Sequence, residues 1–209
     1  MKKLLPLIFI CVFLSACSLF RSYTYTDITA FYTTEALELD KTFAIVAQEK
    51  QYNNLEFKKY AQLTASNIIK RNWREVSATE ADYLLYLTYN IGNPVEKQYT
   101  TTVTTKKSSE QTKINGSFDG KEIKTTIKTL PSEEKKDEVR SYLSYAKNFN
   151  IDIFNKNGEK IFEGHATIDG RGDNFNKISK CIIDSLMENF PGSNGATLTI
   201  KKENSVCIN

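Results

Sequence analysis

The amino-acid sequence predicts an α+β domain: a mixed, mainly antiparallel sheet with two helices packed on one face, preceded by a cleaved N-terminal signal helix. Two amphipathic segments with helical spacing are separated by runs of β-branched and aromatic residues, and one of these runs is too apolar to be half exposed. The 209 residues are 40% hydrophobic and 25% charged. That composition is typical of a globular chain and excludes collagen-like, fully disordered and multi-spanning membrane proteins.

The first segment has the pattern of an export signal. Lys2 and Lys3 are positively charged, and residues 4–14 form an apolar stretch too short to span a bilayer. The tetrapeptide Leu14-Ser15-Ala16-Cys17 resembles the bacterial lipobox, in which the signal is cut before the cysteine and the cysteine is acylated. This resemblance predicts a signal peptide at 1–16 and lipidation of Cys17. The alternatives are an ordinary signal peptide with an incidental cysteine and an uncleaved anchor.

The residue after the predicted lipidation site indicates which membrane holds the protein. Ser18 follows Cys17 where inner-membrane lipoproteins usually carry Asp, which favours the outer membrane, with the domain in the periplasm. Several acyl chains hold a protein at a membrane effectively permanently, and we interpret residues 17–25 as the lipidated tether. Loss of Lys2 and Lys3 leaves 26 basic against 25 acidic side chains, so no electrostatic footprint for nucleic acid remains.

Four cysteines are present, and removal of the signal and lipidation account for two of them. Cys11 leaves with the signal and Cys17 carries lipid, so Cys181 and Cys207 are a candidate disulfide in an oxidising compartment. The sequence slightly favours the alternative, a buried thiol at Cys181 and an exposed thiol at Cys207. Two cysteines with no histidine nearby do not form a zinc site.

The first half of the mature chain predicts four strands and one helix. The strands are 26–32, 42–46, a short one at 73–76 and a strong one at 82–92, which we expect in the centre of the sheet. The helix begins after Asn53 or Asn54 as N-cap and ends at about Asn72, because apolar residues recur there on one helical face.

The middle of the chain is a polar arm at 97–138 with too few large apolar residues for a second core. Its β-branched runs at 100–105 and 123–129 predict the two strands of a long exposed hairpin, with Asn115-Gly116 and Asp119-Gly120 between them. Disorder is the alternative. Residues 133–138 mix charges of both signs and are interpreted as a solvated turn.

The last third predicts a hairpin, a helix and a strand. Strands at 142–154 and 160–170 flank a tight turn at Asn155-Lys156-Asn157-Gly158. A helix capped by Asp173 runs to Asn189 before Pro191-Gly192, and a strand follows at 196–201. The inward residues of this helix are Phe175, Ile178, Cys181, Ile182 and Leu186. We therefore expect one domain at 26–203 and a C-terminal tail at 204–209.

Five stretches, in this order and spacing, carry a family resemblance. They are Thr42-Phe43-Ala44-Ile45-Val46, Asn54-Leu55-Glu56-Phe57, Ala81-Asp82-Tyr83 with Tyr89-Asn90-Ile91-Gly92, Gly158-Glu159-Lys160-Ile161-Phe162-Glu163-Gly164, and Glu188-Asn189-Phe190-Pro191-Gly192-Ser193-Asn194-Gly195. Over residues 42–202 the chain resembles a bacterial lipoprotein family catalogued as domain of unknown function 4136. The resemblance implies an exported lipoprotein with an α+β domain, and it supplies no catalytic residues.

The sole histidine, His165, is the first candidate for chemistry. It shares one side of a predicted strand with Glu163 and Thr167, but no nucleophile motif accompanies it, so a solvent-facing strand residue is the favoured interpretation. The carboxylates that cluster in sequence around it are Asp152, Glu163, Asp169 and Asp173. A hydrolase that pairs His165 with one of them is a remote alternative.

Other motifs have structural explanations. Arg171-Gly172-Asp173 spells an adhesive tripeptide but fits a turn before a helix, and Asn115-Gly116-Ser117 is a glycosylation sequon by pattern only. The tyrosines at 83, 86, 89, 142 and 145 could form an aromatic binding surface, although core packing is favoured.

These observations lead to one functional expectation and one alternative. We expect a non-enzymatic outer-membrane lipoprotein, held by lipid on Cys17, that binds or scaffolds an envelope component, with a protein partner and with no cofactor, metal or nucleic acid. The alternative is a carrier or binding module for a lipid or another small apolar ligand held between sheet and helices.

Overall fold

The computed structural model describes residues 22–34, 40–106, 111–118, 121–128 and 133–207, and it describes 111–118 and 121–128 by their backbone only. The elements in chain order are β1 (Tyr23–Tyr32), β2 (Thr42–Val46), a 3₁₀ turn (Glu49–Gln51), α1 (Leu55–Ile69), β3 (Arg74–Glu75), β4 (Tyr83–Ile91), β5 (Val95–Lys106), β6 (Gln111–Phe118), β7 (Lys121–Lys128), β8 (Glu133–Asn155), β9 (Lys160–Arg171), α2 (Ser179–Glu188), β10 (Thr197–Glu203) and α3 (Asn204–Cys207). The expected signal helix at 1–16 and the expected lipid site Cys17 lie outside the described residues. Of the helices that are described, none is long and apolar enough to cross a membrane.

The chain divides into two compact units. The first comprises the residues up to Pro94 and those from Ser144 onward, and the second is Val95–Leu143. The second unit takes in the predicted polar arm at 97–138.

The first unit contains a mixed sheet with the strand order β10-β1-β9-β8-β4-β2-β3. Its pairs are antiparallel except that β2 runs parallel to both β4 and β3. This confirms the predicted α+β class with a mainly antiparallel sheet. It also confirms that the apolar strand β4 is central, because β8 and β2 pair with its two edges.

The core lies on one face of this sheet, under α1 and α2. Inward residues meet across the strands in register, as Leu87 of β4, Ile151 of β8 and Gly164 of β9 do. On the helix side, the ring of Tyr60 in α1 contacts the ring of Tyr89 in β4 at 4.7 Å between centroids. The largest fully buried side chains of this core are Tyr60, Phe43, Phe149, Phe162, Leu85, Leu87, Ile151, Ile153, Ile182, Ile183, Leu186 and Met187. Alternation along each strand leaves the polar residues on the other face, as the sequence predicts.

Asn54 begins α1 as an N-cap, which confirms that part of the prediction. Its Oδ1 accepts hydrogen bonds from the backbone N–H groups of Glu56 and Phe57, at 2.8 and 3.3 Å. These bonds satisfy two of the free donors in the first turn. Asn72, with φ of 65°, follows the helix in the left-handed conformation that asparagine tolerates.

Arg71 links the end of α1 to the end of α2. Its Nη2 donates to the carbonyl oxygens of Met187 and Glu188 at 2.7 and 2.9 Å, and its guanidinium lies 5.5 Å from the ring centroid of Phe190. The carbonyls at the end of a helix have no partner within it, so this cation caps α2 and holds the two helices together.

The predicted start of the second helix is wrong. The helix α2 begins at Ser179, and its N-cap is Ile178, which makes no side-chain capping bond. Asp173 lies in the preceding loop, where Asn174 Oδ1 instead accepts from the N–H of Lys177 at 3.2 Å. The residues predicted to face inward include four that are buried: Phe175, Cys181, Ile182 and Leu186. The first of them, however, lies in the turn before α2 and not in the helix.

The predicted hairpin between β8 and β9 is confirmed. Asn155 Oδ1 accepts from the N–H groups of Asn157 and Glu159, both at 3.0 Å, and Gly158 has a φ of 79° that favours glycine. The first and last strands extend further than expected. Tyr23 of β1, in the expected tether, pairs with Glu203 of β10, and residues 204–207 of the expected tail form α3.

In the second unit the predicted pairing is wrong. The run at 100–105 belongs to β5, which pairs with β8, whereas 123–127 in β7 pairs with 112–116 in β6. Asn115-Gly116 therefore lies inside β6, and residues 133–138 are strand rather than turn. Asp119-Gly120 falls between the paired residues Phe118 and Lys121 and lies outside the described residues. A two-residue connection brings β6 and β7 together more readily than a long loop would pair the two β-branched runs.

Gly164 sets the distance between α2 and the sheet. A Cβ atom at this position would lie 2.6 Å from Cε1 of Phe162 and 3.2 Å from Cδ1 of Leu186. Both neighbours are buried core side chains, so the space for a methyl group does not exist.

We expect Gly164→Ala to lower the free energy of unfolding by about 1–3 kcal/mol, because the added methyl overpacks the core. Urea denaturation followed by circular dichroism measures the change. Gly170→Ala on the same strand is the matched control, since a Cβ there would meet no atom within 4 Å. Equal effects of the two substitutions would contradict this account.

Asp82 fastens the parallel pair β2–β4 at its start. Its Oδ2 accepts from the hydroxyl of Thr42 at 2.7 Å and from the N–H of Thr42 at 3.0 Å, and its Oδ1 lies 2.9 Å from Nζ of Lys156. The hydrogen bonds from Thr42, followed by that from Lys156, hold the pKa of Asp82 well below its ordinary value.

We expect Asp82→Asn to lower stability at neutral pH by about 1 kcal/mol, a modest figure because solvent screens a side chain that is 38% exposed. A depressed carboxyl pKa stabilises the fold above the unfolded pKa of about 3.9, and this contribution is lost as pH falls through the lower folded value. The difference between wild type and variant, measured by urea denaturation, should therefore be constant above about pH 5 and shrink below about pH 4. In a cycle with Thr42→Val, additive effects would contradict the proposed contact.

Candidate functional site

The open face of the sheet in the first unit carries rows of polar side chains. Register places Thr88, Asn150, His165, Thr29 and Thr197 side by side across β4, β8, β9, β1 and β10. Asn150 donates to the hydroxyl of Thr88 at 3.0 Å, and its Oδ1 lies 3.0 Å from Nδ1 of His165. The hydroxyls of Thr29 and Thr197 are 2.8 Å apart. The row therefore contains two hydrogen-bonded groups, one of Thr88, Asn150 and His165 and the other of Thr29 and Thr197.

A second row lies next to the first. It contains Asn90, Asn148, Thr167, Asp27 and Thr199 in the same strand order. Asn148 donates to Asn90 at 2.8 Å and accepts from Thr167 at 2.9 Å, and the hydroxyl of Thr199 donates to Asp27 at 2.6 Å. Because these side chains hydrogen-bond to one another, their positions on the polar face are fixed.

On the other side of the histidine row lies a charged cluster. Lys160 Nζ is 3.0 Å from Oδ1 of Asp152 and 3.0 Å from Oε2 of Glu163, and the other oxygen of Glu163 is 2.8 Å from Nε2 of His165. The hydrogen bond from Lys160, then that of His165, lowers the pKa of Glu163, and the bond to Asp152 raises the pKa of Lys160. These contacts therefore favour the charged forms of Glu163 and Lys160 near neutral pH.

An open cleft of about 540 Å³ adjoins this cluster at the end of the face. It is lined by Gln48, Ala78, Thr79, Ala81, Leu84, Tyr86, Asp152, Phe154, Asn155, Lys156 and Gly158. The rings of Tyr86 and Phe154 meet edge to face at 5.5 Å between centroids, and Lys160 Nζ lies 5.7 Å from the Phe154 centroid. The cleft thus has an aromatic floor with charged groups at its rim.

The predicted site residues are only partly brought together. Asp152 and Glu163 are neighbours across β8 and β9, and His165 shares the open face with Glu163 and Thr167 as predicted. Asp169 lies further along β9, and Asp173 lies in the loop before α2. In Arg171-Gly172-Asp173, Gly172 has a φ of 78°, which fits the predicted turn.

The tyrosines of the central strand divide between the two faces. Tyr83 is buried against the ring of Trp73, and Tyr89 contacts Tyr60, so these two serve the core. Tyr86 lines the cleft. Sequence reasoning missed Lys160 and the cleft. The signal that could have revealed the cleft is that Leu84, Tyr86 and Phe154 occupy positions on the face that carries the polar rows.

Two further findings concern cysteines and metals. The sulfurs of Cys181 in α2 and Cys207 in α3 are bonded to each other, so the structure holds both buried rather than leaving a terminal thiol exposed. Within the described ranges, no group of three or more histidine, cysteine or acidic side chains could hold a metal ion.

The solved structures that are similar to this chain include the following two. One is a PDZ domain protein from Parabacteroides distasonis, with 13% identity and a TM-score of 0.47, where the match covers 87% of this chain and 39% of that chain. This chain therefore spans about two fifths of that protein. The other is the PelC dodecamer from Paraburkholderia phytofirmans, with 10% identity and a TM-score of 0.34, covering 83% of this chain and 100% of that chain.

No curated protein matches the sequence. A family model described as "Domain of unknown function (DUF4136)" matches residues 28–192, which is most of the chain and extends from the second half of β1 to the end of α2. The chain belongs to this DUF4136 family, as the resemblance in its sequence indicates.

Proposed function

We propose that the chain is a non-enzymatic lipoprotein of the outer membrane, anchored through Cys17, whose domain lies in the periplasm and binds or scaffolds another envelope component. The observation that carries the binding role is a pair of strands in the second unit. These are β5 and the Glu133–Leu143 part of β8, and we call them the ribbon.

The ribbon buries little of its own surface. Val95 is 60% exposed and Val139 is 67% exposed, and Tyr99 and Leu143 are also exposed. Cross-strand contacts join its two strands: Thr102 donates to Asp137 at 2.7 Å, and the rings of Tyr99 and Tyr142 lie 5.9 Å apart. A two-stranded ribbon without a hydrophobic core is marginally stable in water.

The ribbon also offers backbone groups for pairing. In the described part of the chain β5 pairs with β8 and with no other strand, so its second edge is open. An open edge is a template on which an extended segment of another protein adds as a further strand. Main-chain hydrogen bonds and contacts with the exposed valines would stabilise such a complex, and for this reason we favour a protein as the partner.

The open face of the first unit supports binding over catalysis. Both ring nitrogens of His165 are engaged, by Asn150 and Glu163. The hydroxyls nearest to it in register, those of Thr88 and Thr29, are engaged by Asn150 and Thr197. A nucleophilic hydroxyl must lie within hydrogen-bond reach of the base that activates it, and these two hydroxyls are hydrogen-bonded to other groups.

Support for the anchor and the compartment comes from the leader. The positive residues, the short apolar stretch and the small residues before Cys17 are arranged as export and acylation require, and Ser18 favours the outer membrane. The disulfide between Cys181 and Cys207 agrees with an oxidising compartment.

A carrier for a small apolar ligand is the second candidate, and the cleft favours it. The interval between sheet and helices, where the sequence placed the ligand, is filled by buried side chains such as Phe149, Phe162 and Leu186. The cleft at Leu84, Tyr86 and Phe154 lies on the opposite face and is open. A ligand with an apolar ring or chain and one polar end would suit it.

Photocrosslinking in living cells tests the proposed partner. We expect a photoreactive benzoylphenylalanine in place of Tyr99 or Val139 to capture one discrete protein, because both side chains project from the ribbon. Mass spectrometry identifies the captured species. Tyr52, which is 74% exposed in the first unit, is the matched control position. Capture of nothing from either ribbon position, or equal capture from position 52, would contradict the proposal.

Titration with the fluorescent apolar probe N-phenyl-1-naphthylamine tests the cleft. We expect Leu84→Asp to weaken binding of the probe roughly tenfold or more, since the substitution replaces an apolar contact of the floor with a charge. Leu198→Asp, at an exposed leucine of β10, should leave binding unchanged. An undiminished affinity in the first variant would exclude the cleft as the apolar site.

A further inference from the structure

We infer that the end of the sheet at which β1 begins is a membrane-contact surface, made by Tyr23, Tyr25 and Lys201, that rests in the phosphate headgroup region of the bilayer. This inference rests on the proposed function, because lipid on Cys17 is what brings this end of the domain to a membrane. We call these three residues the headgroup patch.

The headgroup patch is exposed and arranged as one unit. Tyr25 is 54% exposed, Tyr23 is also exposed, and both project from the open face, since the alternate residue Thr26 is buried. Tyr25 lies directly opposite Lys201 across β1 and β10. Lys201 Nζ is 4.0 Å from the ring centroid of Tyr23 and 5.9 Å from that of Tyr25. The ammonium group therefore stands over two aromatic rings.

The start of the sheet is fixed only a few residues after Cys17. The N–H of Asn204 donates to the carbonyl of Ser22 at 2.9 Å, and the hydroxyl of Thr24 donates to Oδ1 of Asn204 at 2.7 Å. Five peptide units separate Cys17 from Ser22, and they reach about 17 Å when fully extended. A lipid on Cys17 thus keeps the headgroup patch within about one headgroup layer and a short tether of the bilayer.

The chemistry of the headgroup patch suits lipid phosphates. Tyrosine rings settle at the membrane interface because the ring is apolar and the hydroxyl is polar, and a lysine extends its ammonium group to headgroup phosphates. The neighbouring Lys202 is engaged by Glu188 at 2.8 Å, so of these two lysines Lys201 is the one that stands beside the tyrosines. Because the short tether holds this surface close to the bilayer, we favour lipid as its contact over a partner strand on the outer edge of β10.

The chain offers a matched control on the same strand. Phe31 is 51% exposed, aromatic and on the same face of β1. It is eight residues from Tyr23, which places it about 26 Å further along the strand. Exposure and aromatic character are thus shared, whereas the distance from the tether and the neighbouring Lys201 differ.

Photocrosslinking in vesicles tests the inference. The full chain is produced with its own leader, with benzoylphenylalanine in place of Tyr25 or Phe31, and the purified protein is reconstituted into vesicles of phosphatidylethanolamine and phosphatidylglycerol. We expect phospholipid adducts at position 25 and few at position 31. Lys201→Gln in the position-25 protein should lower the adduct yield about fivefold, the factor that corresponds to one surface lysine on an anionic membrane. Equal adducts at both positions, no adduct at 25, or a crosslink between two copies through β10 would overturn the inference.

The intact mass of the purified protein separates this inference from the proposed anchor. An acylated Cys17 supports the anchor, and an unmodified Cys17 removes it. In the second case the Cys11→Ser chain is coupled through the Cys17 thiol to a maleimide phospholipid in the same vesicles, and the two crosslinking positions are compared again. Preferential lipid adducts at position 25 would then support the headgroup patch by itself, and their absence would overturn it.

Discussion

Burial of a single face of the sheet is the constraint on which the rest of this structure depends. The inward residues of β4, β8, β9 and β1 pack under α1 and α2, and because side chains alternate along a strand, the register that buries Leu87, Ile151 and Gly164 also fixes the opposite face. The hydrogen-bonded rows of asparagine and threonine, the cluster around Lys160 and the floor of the cleft are consequences of that register. A slip of one residue in β8 would exchange the core for the polar rows.

The parts of the fold that the sequence predicts are those in which burial and local chemistry agree. The strand β4 is apolar enough to require the centre of the sheet, Asn54 has the chemistry of an N-cap, and the turn at Asn155-Lys156-Asn157-Gly158 contains the glycine that its positive φ needs. The predicted start of α2 is wrong because Asp173 is a residue type that often caps helices. In the structure Phe175 packs in the core against Tyr60, and a turn rather than a helix leads up to Ser179. Of the candidate site, His165 and Glu163 were predictable from their alternation, whereas Lys160 was not, since its two carboxylate partners come together only through the β8–β9 pairing.

The ribbon shows why pairing could not be predicted where no core exists. Residues 133–138 expose every side chain, so no alternation distinguishes strand from turn, and nothing in their pattern chooses between β5 and another partner. The same lack of burial suits the ribbon to the proposed function. Backbone pairing and a few exposed cross-strand contacts join its two strands, and an edge with so few side-chain constraints can accept a further strand.

The placement of β1 has a consequence for how the protein is made. This strand is inside the sheet, yet both of its partners come from much later in the chain: Thr29 pairs with His165 on one side and with Thr197 on the other. Closing such distant pairs is slow and must await synthesis of β10, so the sheet cannot be completed before that strand has left the ribosome. If the protein is exported as we propose, a channel that accepts only unfolded polypeptide would meet no finished sheet until β10 has been made.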